Sequence, residues 1–135
     1  MEADGLMLAL EEFAATSSEL FRMSCRFECD SPVLIHDPAT AGHLYRIAQE
    51  AVGNAIKHGK ARNILIRLDA SEEGTVLSIK DDGLGLPEPL PANRGLGLRI
   101  MAHRTAMIGG VFRAGRAVPG GTVVTSEFQV KSSHQ

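Results

Sequence analysis

The spacing of apolar positions changes repeatedly along the chain, and each change marks an element. Leu6, Leu10, Phe13 and Ala14 follow at helical spacing behind Asp4, which predicts a short capped helix. Phe21, Met23, Cys25, Phe27 and Cys29 then alternate with Arg22, Ser24, Arg26 and Glu28, the period of a strand. A polar connection with Pro32 and Pro38 leads to a helix that Asp37 or Thr40 can cap and Gly59 can end in a left-handed turn. Its apolar face is Leu44, Ile47, Ala48, Ala51, Val52, Ala55 and Ile56. Ile64, Ile66 and Leu68 give the next strand, closed by a polar turn from Ser71 to Gly74. The following strand points Leu77 and Ile79 to one face, and Asp81 has the same parity. The glycine- and proline-rich run GLGLPEPLPANRGLGL is too irregular for either element. A helix from about Leu98 to Ile108 follows, with Leu98, Met101, Thr105 and Ile108 on one side and Gly109-Gly110 at its end. Strands in VFRAG and TVVTSEFQV flank a turn from Val118 to Gly121, and Thr122 shares the parity of Val124, Phe128 and Val130. The tail, residues 131–135, is expected to be disordered.

This order predicts an α+β fold, a two-layer sandwich of one mixed sheet with helices on one face. No repeat or boundary divides the chain, so residues 1–135 are expected to form one domain. Composition agrees: 44% hydrophobic and 22% charged residues are those of a globular protein. A net charge of −2 argues against a general nucleic-acid binder. No apolar run approaches the roughly 18 residues of a membrane span, and no secretory signal opens the chain. Cys25 and Cys29, four residues apart on one strand, would lie about 13 Å apart, too far for a disulfide. Both are expected as small core residues in a reducing compartment.

Three stretches carry chemistry. On the central helix, Glu50, Asn54 and Lys57 fall at i, i+4 and i+7 with His58 on their edge. They form a polar column about 120° around from the apolar face. A carboxylate, an amide, an ammonium and an imidazole suit a magnesium-nucleotide, although the column alone favours a solvated helix face with Lys57 and His58 answering the macrodipole. Second, Asp81-Asp82-Gly83-Leu84-Gly85 places an inward-parity carboxylate before two glycines. Such a carboxylate could accept from an exocyclic amino group, and the glycines let backbone turn against a flat ligand. Third, Gly95-Leu96-Gly97-Leu98 opens a helix, where free amides favour phosphate, although a helix entry that only needs conformational freedom would read the same. Neither glycine stretch completes the dinucleotide fingerprint, and no P-loop motif occurs.

In this order the three stretches resemble the ATP-binding domain of the GHKL superfamily, which groups gyrase, histidine kinases, MutL and related ATPases. EAVGNAIKH is similar to its N box, DDGLG to its first glycine box and GLGL to its second. RIAQEAVGNAIKH, GLGLRIMAHRTAMIGG and PGGTVVTSEF most resemble sensor histidine kinases of the nitrate-sensor and DesK type. The resemblance implies that Asn54 holds a Mg²⁺ bridging the phosphates of ATP, with Glu50 acting through water as general base or metal-shell carboxylate. It implies that Lys57 and His58 approach the terminal phosphates and that Asp81 accepts from the adenine amino group. Gly83 and Gly85 would shape that turn, Gly95, Leu96, Gly97 and Leu98 would close on phosphate, and Thr122 would support Asp81 or a water. His103 and Arg104 read as surface residues, and His43 as lying outside the pocket.

Asp82 stands where the family often has Asn and is expected to add negative charge near the pocket. Nine residues separate Gly85 from Gly95, so the lid over ATP is expected to be short. No long helical hairpin with a phosphoacceptor histidine precedes the N box, and His36, in a proline-flanked loop, is not a substitute. The resemblance therefore implies the catalytic and ATP-binding domain of a two-component sensor histidine kinase. Its γ-phosphoryl group would pass to a histidine on a separate dimerisation domain, and from there to a response regulator. The isolated domain is expected to be a cytoplasmic monomer, and the full kinase a dimer, free or membrane-anchored. Two rivals are a serine-kinase anti-sigma factor and a non-catalytic nucleotide-sensing module.

Overall fold

The computed structural model describes residues 5–87 and 92–129. Its elements are α1 (Gly5–Phe21), β1 (Ser24–Glu28), α2 (Pro38–Lys57), β2 (Asn63–Ser71), β3 (Gly74–Asp81), α3 (Ala92–Met107), β4 (Val111–Arg116) and β5 (Thr122–Phe128). The strands make one sheet in the order β1-β2-β3-β5-β4, with β1 and β2 parallel and the other neighbours antiparallel. Alternation along the strands decides which face is covered. Cys25, Ile64, Ile66, Leu68, Leu77, Ile79, Val124 and Phe128 are buried beneath the helices. The mixed sheet with helices on one face is therefore as predicted.

α1 is longer than the sequence pattern suggested. It runs 17 residues, burying Leu6, Leu10, Ala14 and Ser17, and takes in Phe21, which the alternation had placed on a strand. The polar end of the helix holds because Ser18 reaches sideways. Its Oγ accepts from the Cys25 amide at 2.8 Å and lies 2.9 Å from the Ala14 carbonyl, tying α1 to β1. Arg22 then adopts a left-handed backbone (φ 52°) that stops the helix. β1 is accordingly only five residues long. Cys25 is buried, and burial pushes its thiol up to about 11. Cys29 lies beyond the strand and is half-buried, so the two thiols do not share the core as expected; both are free.

α2 is the centre of the helical layer. Asp37 caps it by accepting from the amides of Ala39 and Thr40, with Pro38 in the first turn. Ala41, Leu44, Ile47, Ala48, Ala51, Val52 and Ala55 are buried, and Ile56 sits at the edge of the stripe. At the other end His58 is the cap, and the left-handed residue is Lys60 (φ 53°), not Gly59. Gly59 is needed for a different reason: a Cβ there would come within 2.9 Å of the Ala55 carbonyl oxygen.

α3 begins at Ala92, six residues before the predicted start, so the GLGL stretch lies inside the helix and does not precede it. Glycine lowers helix propensity without forbidding the helix when close packing demands it. Buried Thr105 anchors α3 to the sheet. Its hydroxyl is 2.9 Å from Ser126 Oγ on β5 and 2.9 Å from the Met101 carbonyl. Val130 and the tail at 131–135 lie outside the described residues, as does Asp4.

Candidate functional site

Between α2, α3 and the β3–β5 pair lies a small cavity. Its polar lining is Asn54 from α2, Asp81 from the end of β3 and Thr122 from the start of β5. Ala51, Ala55, Ile79, Met101 and Val124 make the apolar part, and Leu86 and Leu98 also line it. Small side chains on α2 are what allow a cavity here, because the alanines leave the helix a shallow face toward the sheet.

Asp81 is fixed by backbone. Its Oδ1 accepts from the Gly83 amide at 2.8 Å and from the Thr122 amide at 3.3 Å. Neither bond uses Oδ2. A 7% exposed carboxylate held by two amides is satisfied on one oxygen and leaves the other as a free acceptor in this arrangement. Thr122 thus meets Asp81 through its main chain. The glycines around them answer to crowding. A Cβ at Gly83 would collide with the Gly59 carbonyl oxygen, and one at Gly121 with the Asp81 carbonyl. Gly85 has φ +82° and passes close to the Gly121 carbonyl.

Glu50 and Asn54 converge on α3. A Cβ at Gly97 would lie 2.9 Å from Glu50 Oε1, 3.0 Å from Asn54 Nδ2 and 3.5 Å from Asn54 Oδ1. The bare backbone of Gly97 therefore rests directly on the two polar groups of the column. A carboxylate and an amide oxygen brought to one place are hard donors of the kind that suit Mg²⁺. Among the described residues no group of three His, Cys, Asp or Glu side chains could hold a metal unaided.

Of the polar column, only Asn54 lines the cavity itself. Lys57 is exposed and His58 half-buried, and neither lines the cavity. Gly95 and Leu96 also lie outside its lining. His103 is exposed, as expected; Arg104 is half-buried and donates to His43 Nδ1 at 3.2 Å, bridging α3 to α2 away from the cavity. Asp82 follows Asp81 but does not line the cavity. It turns to the start of β2, where its Oδ1 accepts from the amides of Arg62 and Asn63, each at 2.9 Å. Its Oδ2 accepts from Asn63 Nδ2 at 2.7 Å, and these bonds, the Asn63 side chain first, hold its carboxyl below the usual range. Leu86 and Met101 are cavity residues the sequence did not single out. Met101 shares the apolar stripe of α3, whereas Leu86 sits in an irregular run with no periodicity to mark it.

An acceptor at a strand end and an amide on the facing helix thus line one cavity, and a glycine of a second helix packs on that amide and on the neighbouring carboxylate. Residues 39–132 match the model of the "Histidine kinase-, DNA gyrase B-, and HSP90-like ATPase" family. The chain belongs to that family. Among curated proteins it is 32% identical over 122 residues to the nitrate/nitrite sensor protein NarQ of Escherichia coli, covering 90% of this chain and 22% of NarQ. It is 31% identical over 124 residues to NarX of the same organism, covering 92% of this chain and 21% of NarX. The chain thus spans about a fifth of the length of these relatives. In fold it matches the ATP-binding domain of PrrB from Mycobacterium tuberculosis, with a TM-score of 0.76 at 22% identity over 98% of this chain and 96% of the other.

Proposed function

We propose that this chain is the ATP-binding catalytic domain of a sensor histidine kinase, which binds Mg-ATP and passes the γ-phosphoryl group to a histidine on a dimerisation domain. The observation that carries the reading is the convergence on one cavity of Asp81 and Asn54, with Glu50 one helical turn from Asn54. Asp81, locked by two amides, is the acceptor for the adenine amino group, and Gly83, Gly85 and Thr122 hold its turn. Asn54 and Glu50 would hold Mg²⁺, Glu50 through a water that it can also deprotonate. Bound there, the ion would neutralise charge on the phosphates as the transfer proceeds. Gly95, Leu96, Gly97 and Leu98 would follow the phosphates from α3. Lys57 and His58 lie beyond the cavity at the end of the same helix, where a terminal phosphate emerging from it would meet them.

Such catalysis is chiefly positioning and charge neutralisation. The acceptor histidine belongs to another part of the kinase, so the working enzyme is a dimer, and a response regulator receives the phosphate. The domain operates on the cytoplasmic side, where ATP is available.

The test is transfer. Incubation with γ-labelled ATP, Mg²⁺ and a histidine-bearing two-helix dimerisation domain from a nitrate-sensor relative should give acid-labile, base-stable label on that histidine. Label on a serine of a partner protein would instead support the anti-sigma-type kinase, and binding without transfer to any supplied acceptor would support a nucleotide-sensing module.

A further inference from the structure

We infer that Asp82 is a positioning residue that sets the spacing between the two walls of the nucleotide site; this rests on the ATP-binding reading of that site. Asp81 and Asn54 are on different elements, and the 59–63 connection between α2 and β2 lies between them. That connection is clamped to the exit of β3 at both ends. At one end Asp82 accepts from the amides of Arg62 and Asn63 and from the Asn63 side chain, while its own amide donates to the Asn63 carbonyl at 3.2 Å. At the other, the Leu84 amide donates to the Gly59 carbonyl at 2.7 Å.

Both clamps reach the site within a residue or two. Asp82 follows Asp81 directly, and Asp81 is paired with Ile64, next to Asn63. Gly59 and His58 both donate to the Asn54 carbonyl, at 3.1 and 2.9 Å, so the strap that Asp82 holds ends on the backbone of Asn54. Gly83 packs on the Gly59 carbonyl so closely that a Cβ would collide with it. The carboxylate of Asp82 therefore closes a short ring of contacts, from Asp81 through residues 62 and 63 and along the strap to Asn54.

Asp82 does not line the cavity, and its bonds to residues 62 and 63 are solvent-exposed, so water can replace it without unfolding the chain. What its removal would loosen is the relation between the walls. A ligand that engages both ends benefits from that fixed relation, and one that engages a single end does not.

The experiment compares wild type, Asp82→Ala and the swapped pair Asp82→Asn with Asn63→Asp, in which acceptor and donor exchange places. Asp82→Ala is expected to weaken Mg-ATP by about tenfold and adenosine by less than about twofold, a loss confined to the bridging ligand. The swapped pair is expected to recover Mg-ATP binding to within about threefold of wild type, since both backbone amides and the side-chain bond are restored. Equal losses for Mg-ATP and adenosine, no loss for either, or no recovery in the swapped pair would overturn the inference. The amide resonances of His58, Gly59, Gly83 and Thr122 give a readout without nucleotide. They should shift together in Asp82→Ala and return in the swapped pair, and an unmoved set would equally overturn it. Should wild type bind neither ligand, the ATP-site reading fails, and these resonances alone decide the role of Asp82.

Discussion

Glycines 83 and 97 both exclude a side chain at the site, but what they face differs. A methyl at Gly83 would meet the carbonyl of Gly59, and backbone cannot step aside. A methyl at Gly97 would meet the ends of Glu50 and Asn54, which can rotate. Gly83→Ala should therefore cost roughly 3 kcal/mol, the upper end for overpacking. Gly97→Ala should change stability by less than about 1 kcal/mol, since alanine regains helix propensity, while displacing the side-chain ends of Glu50 and Asn54. Thermal melts with Mg-ATP titration check the contrast: loss of fold at 83, loss of ligand at 97. The sequence made Asp81 legible through strand parity, because alternation is strict and a carboxylate on the inward row is rare. It did not reveal the partners of Asp82, because the strap at residues 62 and 63 that this carboxylate meets is brought to it only by the pairing of β2 with β3.

At the level of elements, the joint between α3 and the sheet is a pair of buried hydroxyls. Thr105 and Ser126 are 0% and 1% exposed and hydrogen-bonded to each other. Thr105→Val should cost about 1–3 kcal/mol, because it leaves Ser126 without that partner. The same change in a Ser126→Ala background should cost distinctly less, and a double-mutant cycle by chemical denaturation measures the difference. Independent costs would mean the pair does not couple the helix to the strand. Element boundaries were readable where period was strong, as along α2, whose buried stripe is nearly the predicted one. They were not readable where polar residues held a helix by contacts from elsewhere. Ser18 prolongs α1 by meeting Cys25, and close packing on Glu50 and Asn54 fits Gly97 into α3, neither of which local propensity encodes.

Over the whole molecule, packing and charge set different limits. Asp37, Asp69 and Asp82 are all held below the usual carboxylate range, chiefly by hydrogen bonds from Thr40, Arg67 and Asn63 respectively. Each binds its proton more weakly folded than unfolded. Their stabilisation is thus complete above the ordinary carboxylate value of about 4 and is lost as pH falls through the lower, folded-state values. Denaturation curves should show stability falling below about pH 4, and Asp82→Asn should make that fall shallower. An unchanged slope would mean that Asp82 titrates alike in both states. The cavity itself, at about 20 Å³, has room for water and none for a nucleotide. On the proposed reading, ATP entering here would have to displace side chains that line the cavity, such as Leu86 and Leu98.

The claim on which everything else depends is that Asn54 and Asp81 are the metal and adenine walls of one ATP site. Titration calorimetry of wild type, Asn54→Asp and Asp81→Asn with ATP and GTP, each with and without Mg²⁺, tests it directly. Wild type should bind ATP in preference to GTP and more tightly with Mg²⁺. Asn54→Asp should lose the Mg²⁺-dependent part while unfolding as cooperatively as wild type, and Asp81→Asn should lose the preference for ATP. Unchanged Mg-ATP affinity in Asn54→Asp, or an unaltered ATP preference in Asp81→Asn, would contradict the assignment.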